Sequence, residues 1–157
     1  MSTILQRVSG IGRKDVPAAE VVTTFLDAIS QGEVVAAVDL LSPDVRLRIE
    51  PADLSGGYEE AQDFLRQAAT AFPDLMLPVR SLAELAGGRV VAEVTFEGTQ
   101  AADFLGVLNQ GKHIDIEQGW LFEVAGGRVA ALTAYWDQNQ LYRRLGVKRL
   151  DQIGIAS

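Results

Sequence analysis

Cysteine is absent from the 157 residues, so no disulfide framework, thiolate nucleophile or Cys-ligated metal is open to this chain. Histidine occurs once, as His113, and one imidazole among scattered carboxylates makes no metal-ligand cluster, so no metal is expected. Positive charge is scarce: 14 Lys and Arg stand against 21 Asp and Glu, and the resulting net charge of −7 repels phosphate backbones and anionic lipid. Nucleic acid and membrane are therefore poor partners. No apolar run reaches the ~20 residues of a membrane span, and the start MSTILQRVSGIGRKD lacks the apolar centre of a signal peptide. The expectation is a cytoplasmic protein.

What is present is ordinary for a single globular domain, with 48% apolar and 22% charged residues and enough length to bury a core. Residues 1–16 read as a loose N-terminal arm, 17–146 as the folded domain and 147–157 as a C-terminal tail. Behind Pro17, the spacing of Val21, Val22, Phe25, Leu26 and Ile29 predicts an amphipathic helix over 18–30, ended by Gly32. A short second helix over 33–41 and a third over 58–72 follow the same rule, the third with Ala61, Phe64, Leu65, Ala68 and Phe72 on one stripe. Val45, Leu47 and Ile49 alternate with Arg46 and Arg48 in a strand, followed by a loop over 51–57. Four further strands are predicted over 75–86, 89–100, 112–124 and 128–136, with tight turns at Gly87-Gly88 and Gly126-Gly127 and a loop near 103–111. A last helix covers 138–145. Helices ahead of a run of antiparallel strands define an α+β fold, in which a curved sheet with helices on its concave side encloses a pocket.

Three segments resemble one family. AFPDL at 71–75, G-x5-FLGV-x3-GK at 98–112 and WD-x3-L-x-R-x-LG at 136–146 are similar to motifs of the SnoaL-like polyketide cyclases, of the nuclear transport factor two-like superfamily. The resemblance spans roughly 18–146. It implies a cone-shaped α+β barrel: a curved, mostly antiparallel sheet with N-terminal helices covering the concave face, commonly as a homodimer. It also implies a pocket for an apolar polycyclic ligand, where the family closes rings by intramolecular aldol condensation without metal or cofactor. Ketosteroid isomerisation, epoxide opening, assisted hydroxylation and simple binding occur in the same superfamily. The family's acid/base aspartate on the last strand falls here on Ala134. Its histidine on the preceding strand falls on Trp120, and a second histidine on Leu132. The resemblance thus carries the fold and removes the usual acid/base groups.

Alternation along 112–124 places Ile114, Ile116, Gln118, Trp120 and Phe122 on one side and His113, Asp115, Glu117 and Gly119 on the other. A helix-covered face takes the apolar set, so the acids point outward or into a dimer interface, with Arg80, Arg89 or Arg128 as basic partners. Gln118 and Trp120 are the leading pocket candidates, an amide to orient a ligand oxygen beside an apolar wall. Trp136, Phe96, Phe64 and Arg48 are further candidate ligand contacts, Arg48 as a grip on an anionic or carbonyl oxygen. Solvated strand pairing explains Arg48 as well. Asp137 and Tyr58 are the remaining proton-transfer candidates; a helix cap and a helix staple are their structural alternatives. Asp103 and Asn109 either gate the pocket mouth or only form turns. His113 reads as exposed. An enzyme acting on a polycyclic ketone, a ligand-binding accessory protein and a structural dimer all remain open.

Overall fold

The computed structural model describes residues 16–148, so nearly all of the expected arm and most of the expected tail lie outside the described residues. Helix α1 (Ala18–Ser30) starts after Pro17 and buries Ala18, Val21, Val22, Phe25, Leu26, Ala28 and Ile29, the stripe that its spacing predicts. A short α2 (Val34–Asp39) leads into β1 (Leu41–Ile49). After a 3-10 turn at Glu50–Ala52 and the three-residue β2 (Leu54–Gly56) comes α3 (Tyr58–Ala71). Its start is held by the Gly57 N–H donating to Glu60 Oε1 at 2.8 Å, half of a capping box, since glycine has no side chain to return the bond. Then follow β3 (Val79–Glu84), β4 (Arg89–Thr99), β5 (His113–Ala125), β6 (Arg128–Trp136) and α4 (Gln138–Arg144).

The six strands form one open curved sheet in the order β2-β1-β6-β5-β4-β3. All neighbours are antiparallel except β1 and β6, which run parallel. Gly126 and Gly127, both at positive φ (62° and 75°), close the β5–β6 hairpin in a geometry that other residues adopt only with strain. Helix α1 packs on β3 to β6 and α3 on β1 and β2, so the helices cover one sheet face and leave the other bare.

The second helix ends at Asp39 rather than at 41, and three further boundaries differ from those predicted. Strand β1 begins at Leu41 rather than at 45, because Leu41 pairs with Val129 of β6; Pro43 is tolerated where the register slips between Leu41 and Arg46. Strand β3 is shorter than the predicted 75–86, since Pro78 interrupts it and Met76 makes only an isolated bridge to Glu97. The stretch 51–57 is not only loop, as β2 pairs there with the end of β1.

The core fills much of the concave face. Phe25 meets Phe122 edge-on at 5.8 Å, and Phe72 meets Phe96 and Phe104 edge-on at 5.1 and 5.2 Å. Gly98, on the inner side of β4, lets the end of α3 approach closely; a Cβ there would lie 3.1 Å from the Phe72 Cβ. Each fully buried phenylalanine stabilises the fold by about 1.5–3 kcal/mol.

Candidate functional site on the concave sheet face

Strands β4, β5 and β6 turn Val90, Ala92, Val94 and Phe96, then Ile114, Ile116, Gln118, Trp120 and Phe122, then Val129, Leu132 and Ala134 inward. The parity expected for β4 and β5 holds, and Glu93, Glu97, Asp115 and Glu117 lie on the outer side. The buried polar side chains among the described residues are two glutamines, Gln100 and Gln118, and no ionisable group joins them.

Gln118 and Trp120 come together as expected. Gln118 is 4% exposed and Trp120 2%. The indole Nε1–H of Trp120 donates to Gln118 Oε1 at 2.8 Å. Cross-strand register places Gln118 between Val94 and Trp136, and Trp120 between Ala92 and Ala134. The two alanine methyls flanking Trp120 leave room for the large indole, so the bulk at one position and the small side chains beside it compensate. Trp136 is half-buried next to Gln118, with its own Nε1–H donating to Gln138 Oε1 at 2.8 Å. Phe96 is in the aromatic core, and Phe64 is buried and stacks obliquely on Phe104 at 6.4 Å. Phe64 also floors a cleft of about 260 Å³ between α3 and the loop before β5, rimmed by Leu54, Glu60, Asp63, Gln67 and Leu105.

The other candidates lie elsewhere. Arg48 faces away from the core, because Val45, Leu47 and Ile49 take the inward parity of β1. Its guanidinium pairs with Glu50 at 3.1 Å and Asp53 at 3.0 Å and donates to Ser55 at 2.7 Å; hydrogen bonds to Glu50 and then Asp53 raise its pKa further above its ordinary range. Asp137 is exposed, and its carboxylate accepts the Gln140 N–H at 3.1 Å, capping α4. Tyr58 is 36% exposed and opens onto an outer cleft of about 630 Å³ with Val38, Asp39, Leu41, Pro43, Glu59 and Arg128. Neither proton-transfer candidate reaches the concave face. His113 is exposed as expected, with Nδ1 2.8 Å from the Thr99 hydroxyl and Nε2 3.6 Å from Glu97. Asp103 and Asn109 form turns: the Asn109 N–H donates to Asp103 at 2.8 Å and the Gly111 N–H to Asn109 at 2.9 Å.

Sequence reading missed two features. Gln100 continues the inward parity of β4, and its amide ties the following loop down, donating to the Val107 carbonyl at 3.2 Å and accepting from the Gln110 N–H at 3.3 Å. Phe104 and Val107, inside that loop, are fully buried and bridge each other's backbones. The outer acids pair within the chain, Asp115 with Arg144, Glu123 with Arg46 at 2.9 Å and Glu117 with Arg80 at 4.0 Å. Of the basic partners expected, only Arg80 takes that role; Arg128 donates to the Asp39 carbonyl instead. Among the described residues no cluster of His, Asp or Glu is placed to hold a metal ion, and no helix is long and apolar enough to cross a membrane.

A curved open sheet, covered by helices on its concave side, is the architecture of the nuclear transport factor two-like proteins. The chain belongs to the SnoaL-like polyketide cyclase family, whose model matches residues 19–145. No curated protein matches the chain. Among solved structures it is similar to a proposed polyketide cyclase of Pseudomonas putida KT2440, with 24% identity, 83% of this chain and 99% of that one covered, and a TM-score of 0.72. It is also similar to AclR, a proposed hydroxylase of Streptomyces galilaeus, at 21% identity, with 84% and 97% covered and a TM-score of 0.72. TsrD of Streptomyces laurentii is 25% identical, with 82% and 94% covered and a TM-score of 0.71.

Proposed function

We propose that the concave face binds an apolar polycyclic, ketone-bearing molecule of polyketide type. Binding would promote its cyclisation, its isomerisation or an assisted oxygenation through shape and one fixed hydrogen bond. The observation that carries this reading is the lining itself, an aromatic and aliphatic wall with Gln118 as a polar group beside Trp120 and Trp136. Side-chain proton transfer is not part of the reading, because Ala134, Trp120 and Leu132, where the family resemblance expects its aspartate and histidines, are apolar and buried. Holding a flexible substrate in a near-attack geometry lowers a barrier by several kcal/mol without a base.

The same lining favours a second reading, an accessory protein that binds such a molecule and leaves it unchanged. Incubation of the purified protein with aromatic polyketones bearing a free ketone side chain, followed by mass spectrometry of protein and supernatant, separates the two. A product of altered retention supports the enzyme, whether equal in mass from isomerisation or aldol addition, lighter by one water from condensation, or heavier by one oxygen from oxygenation. A ligand bound and recovered intact supports the accessory role. Absence of binding by every such compound overturns both.

A homodimer through the bare sheet face fits the same fold. Register aligns Val91, Leu121 and Thr133 in one row and Glu93, Gly119 and Tyr135 in the next, giving a surface of small and apolar groups at its middle. Tyr135 is 47% exposed there. Asp115, Glu117 and Glu123 pair with Arg144, Arg80 and Arg46, while Glu93 accepts only from the Ser81 hydroxyl at 2.6 Å, so two copies must pack with the Glu93 carboxylates kept apart or at the rim.

A further inference from the structure

The polarity of the one inward amide beside the tryptophans is fixed by its neighbour. An indole N–H can only donate, so the Gln118 oxygen must face Trp120 Nε1, and the amide nitrogen must face the other way. That nitrogen makes no hydrogen bond among the described residues. Yet no fully enclosed side-chain nitrogen or oxygen there is left without a partner. The Gln118 NH2 is therefore not fully enclosed, although the residue as a whole is 4% exposed. Reversing the amide would set NH2 against N–H and leave a buried donor unsatisfied, a costly arrangement in a low-dielectric wall.

We infer that Gln118, held by Trp120, is a donor-only recognition point that selects ligands presenting an acceptor oxygen, a carbonyl or enolate above all, and rejects those presenting a donor-only N–H at that place. The inference rests on the reading of the concave face as the ligand site and narrows it to one functional group and one orientation. A ketone oxygen that gains negative charge as a solvent water or hydroxide takes the α-proton would be held more tightly than in the ketone itself by the same NH2, which is how a fixed donor assists a reaction whose proton goes to solvent. A carboxamide free to flip would satisfy donors and acceptors alike. The neighbouring indole removes that freedom, and Ala92 and Ala134 on either side of Trp120 give the indole the space to lie where it does this.

Three rigid tricycles of nearly equal shape test this: 9-fluorenone, which presents a carbonyl, fluorene, which presents a CH2, and carbazole, which presents an N–H. Their dissociation constants follow from quenching of indole fluorescence in the full chain. The expected order in the wild type is fluorenone tightest, about tenfold below fluorene, the ratio of one net hydrogen bond, with carbazole weakest. In Gln118→Leu the three converge. In Trp120→Phe, where the amide turns freely, carbazole gains on fluorene while fluorenone keeps its advantage, and Trp136 remains as the fluorophore. Thermal melts show whether each variant is folded; should Gln118→Leu fail to fold, the Trp120→Phe comparison decides alone. Equal binding of fluorenone and fluorene by the wild type, or a carbonyl preference that survives Gln118→Leu, overturns the donor assignment while leaving the ligand site standing. Failure of all three to bind removes the ligand site and this inference with it.

Discussion

Asp137 and Glu60 are both carboxylates that serve a helix start rather than a reaction, and each makes a prediction. Replacing Asp137 with Ala removes the acceptor for the Gln140 N–H and should cost about 1 kcal/mol in chemical denaturation, with ligand affinity unchanged. Loss of any turnover with full stability would instead make Asp137 a proton-transfer group. The Glu60 carboxyl titrates below its ordinary value because it accepts the Gly57 N–H and then its own backbone N–H. A pKa lowered by folding means stability that is present above the unfolded value and lost as pH falls through the folded one. The Glu60→Gln protein should therefore show a shallower loss of melting temperature than wild type between about pH 5 and pH 3. Parallel slopes would remove Glu60 from the acid response. At this scale much was legible. Aspartate before a helical stripe reads as a cap, and the strict alternation of Ile114 to Phe122 placed Gln118 and Trp120 inward. Likeness to the family offers Arg48 as a ligand grip and alternation offers it as strand pairing; Val45, Leu47 and Ile49 already occupy the inward parity, so alternation is the better guide to where it points. For Tyr58 the sequence offered no rule, because the first residue of an amphipathic helix can face either way.

The loop between β4 and β5 is the element that sequence periodicity could not resolve. Loops have no repeat from which burial can be read, so periodicity gives Phe104 and Val107 no side. Both are buried, Phe104 among the rings of Phe64, Phe72 and Phe96, and the Gln100 amide ties the loop down through the Val107 carbonyl. Leu105, between Phe104 and Gly106, sits at φ 47°, an unfavourable value for leucine. The Leu105 N–H donates to Gln67 of α3 at 3.0 Å, joining the loop to the rim of the smaller cleft. Phe104→Ala should destabilise the fold by about 3–5 kcal/mol and speed entry of a tricyclic ligand in stopped-flow quenching. A loss under about 1 kcal/mol would mean that the loop is not held by this side chain.

On the scale of the whole molecule, the antiparallel run from β3 to β6 and the helix cover follow from the pattern of helices and hairpins, but the parallel pairing of β1 with β6 does not. It is a contact between distant parts of the chain, and only the folded sheet reveals it. That pairing also explains why β1 starts early and runs through Pro43. The bare outer face makes its prediction here. Light scattering at micromolar concentration should return twice the 16.9 kDa chain mass, and Leu121→Arg with Tyr135→Glu should return the chain mass with the melt largely retained. A monomeric wild type would overturn the dimer.

The central claim is that a helix-covered, base-free sheet face holds an apolar polycyclic carbonyl compound. Native mass spectrometry of the protein isolated from the organism that encodes it tests this most directly. The account predicts one neutral polycyclic ketone, or its cyclised product, retained per chain and lost from the Gln118→Leu variant. A retained molecule that is acyclic or carries a phosphate, or a chain that leaves its host with nothing bound and takes up no polycyclic ketone afterwards, would contradict it.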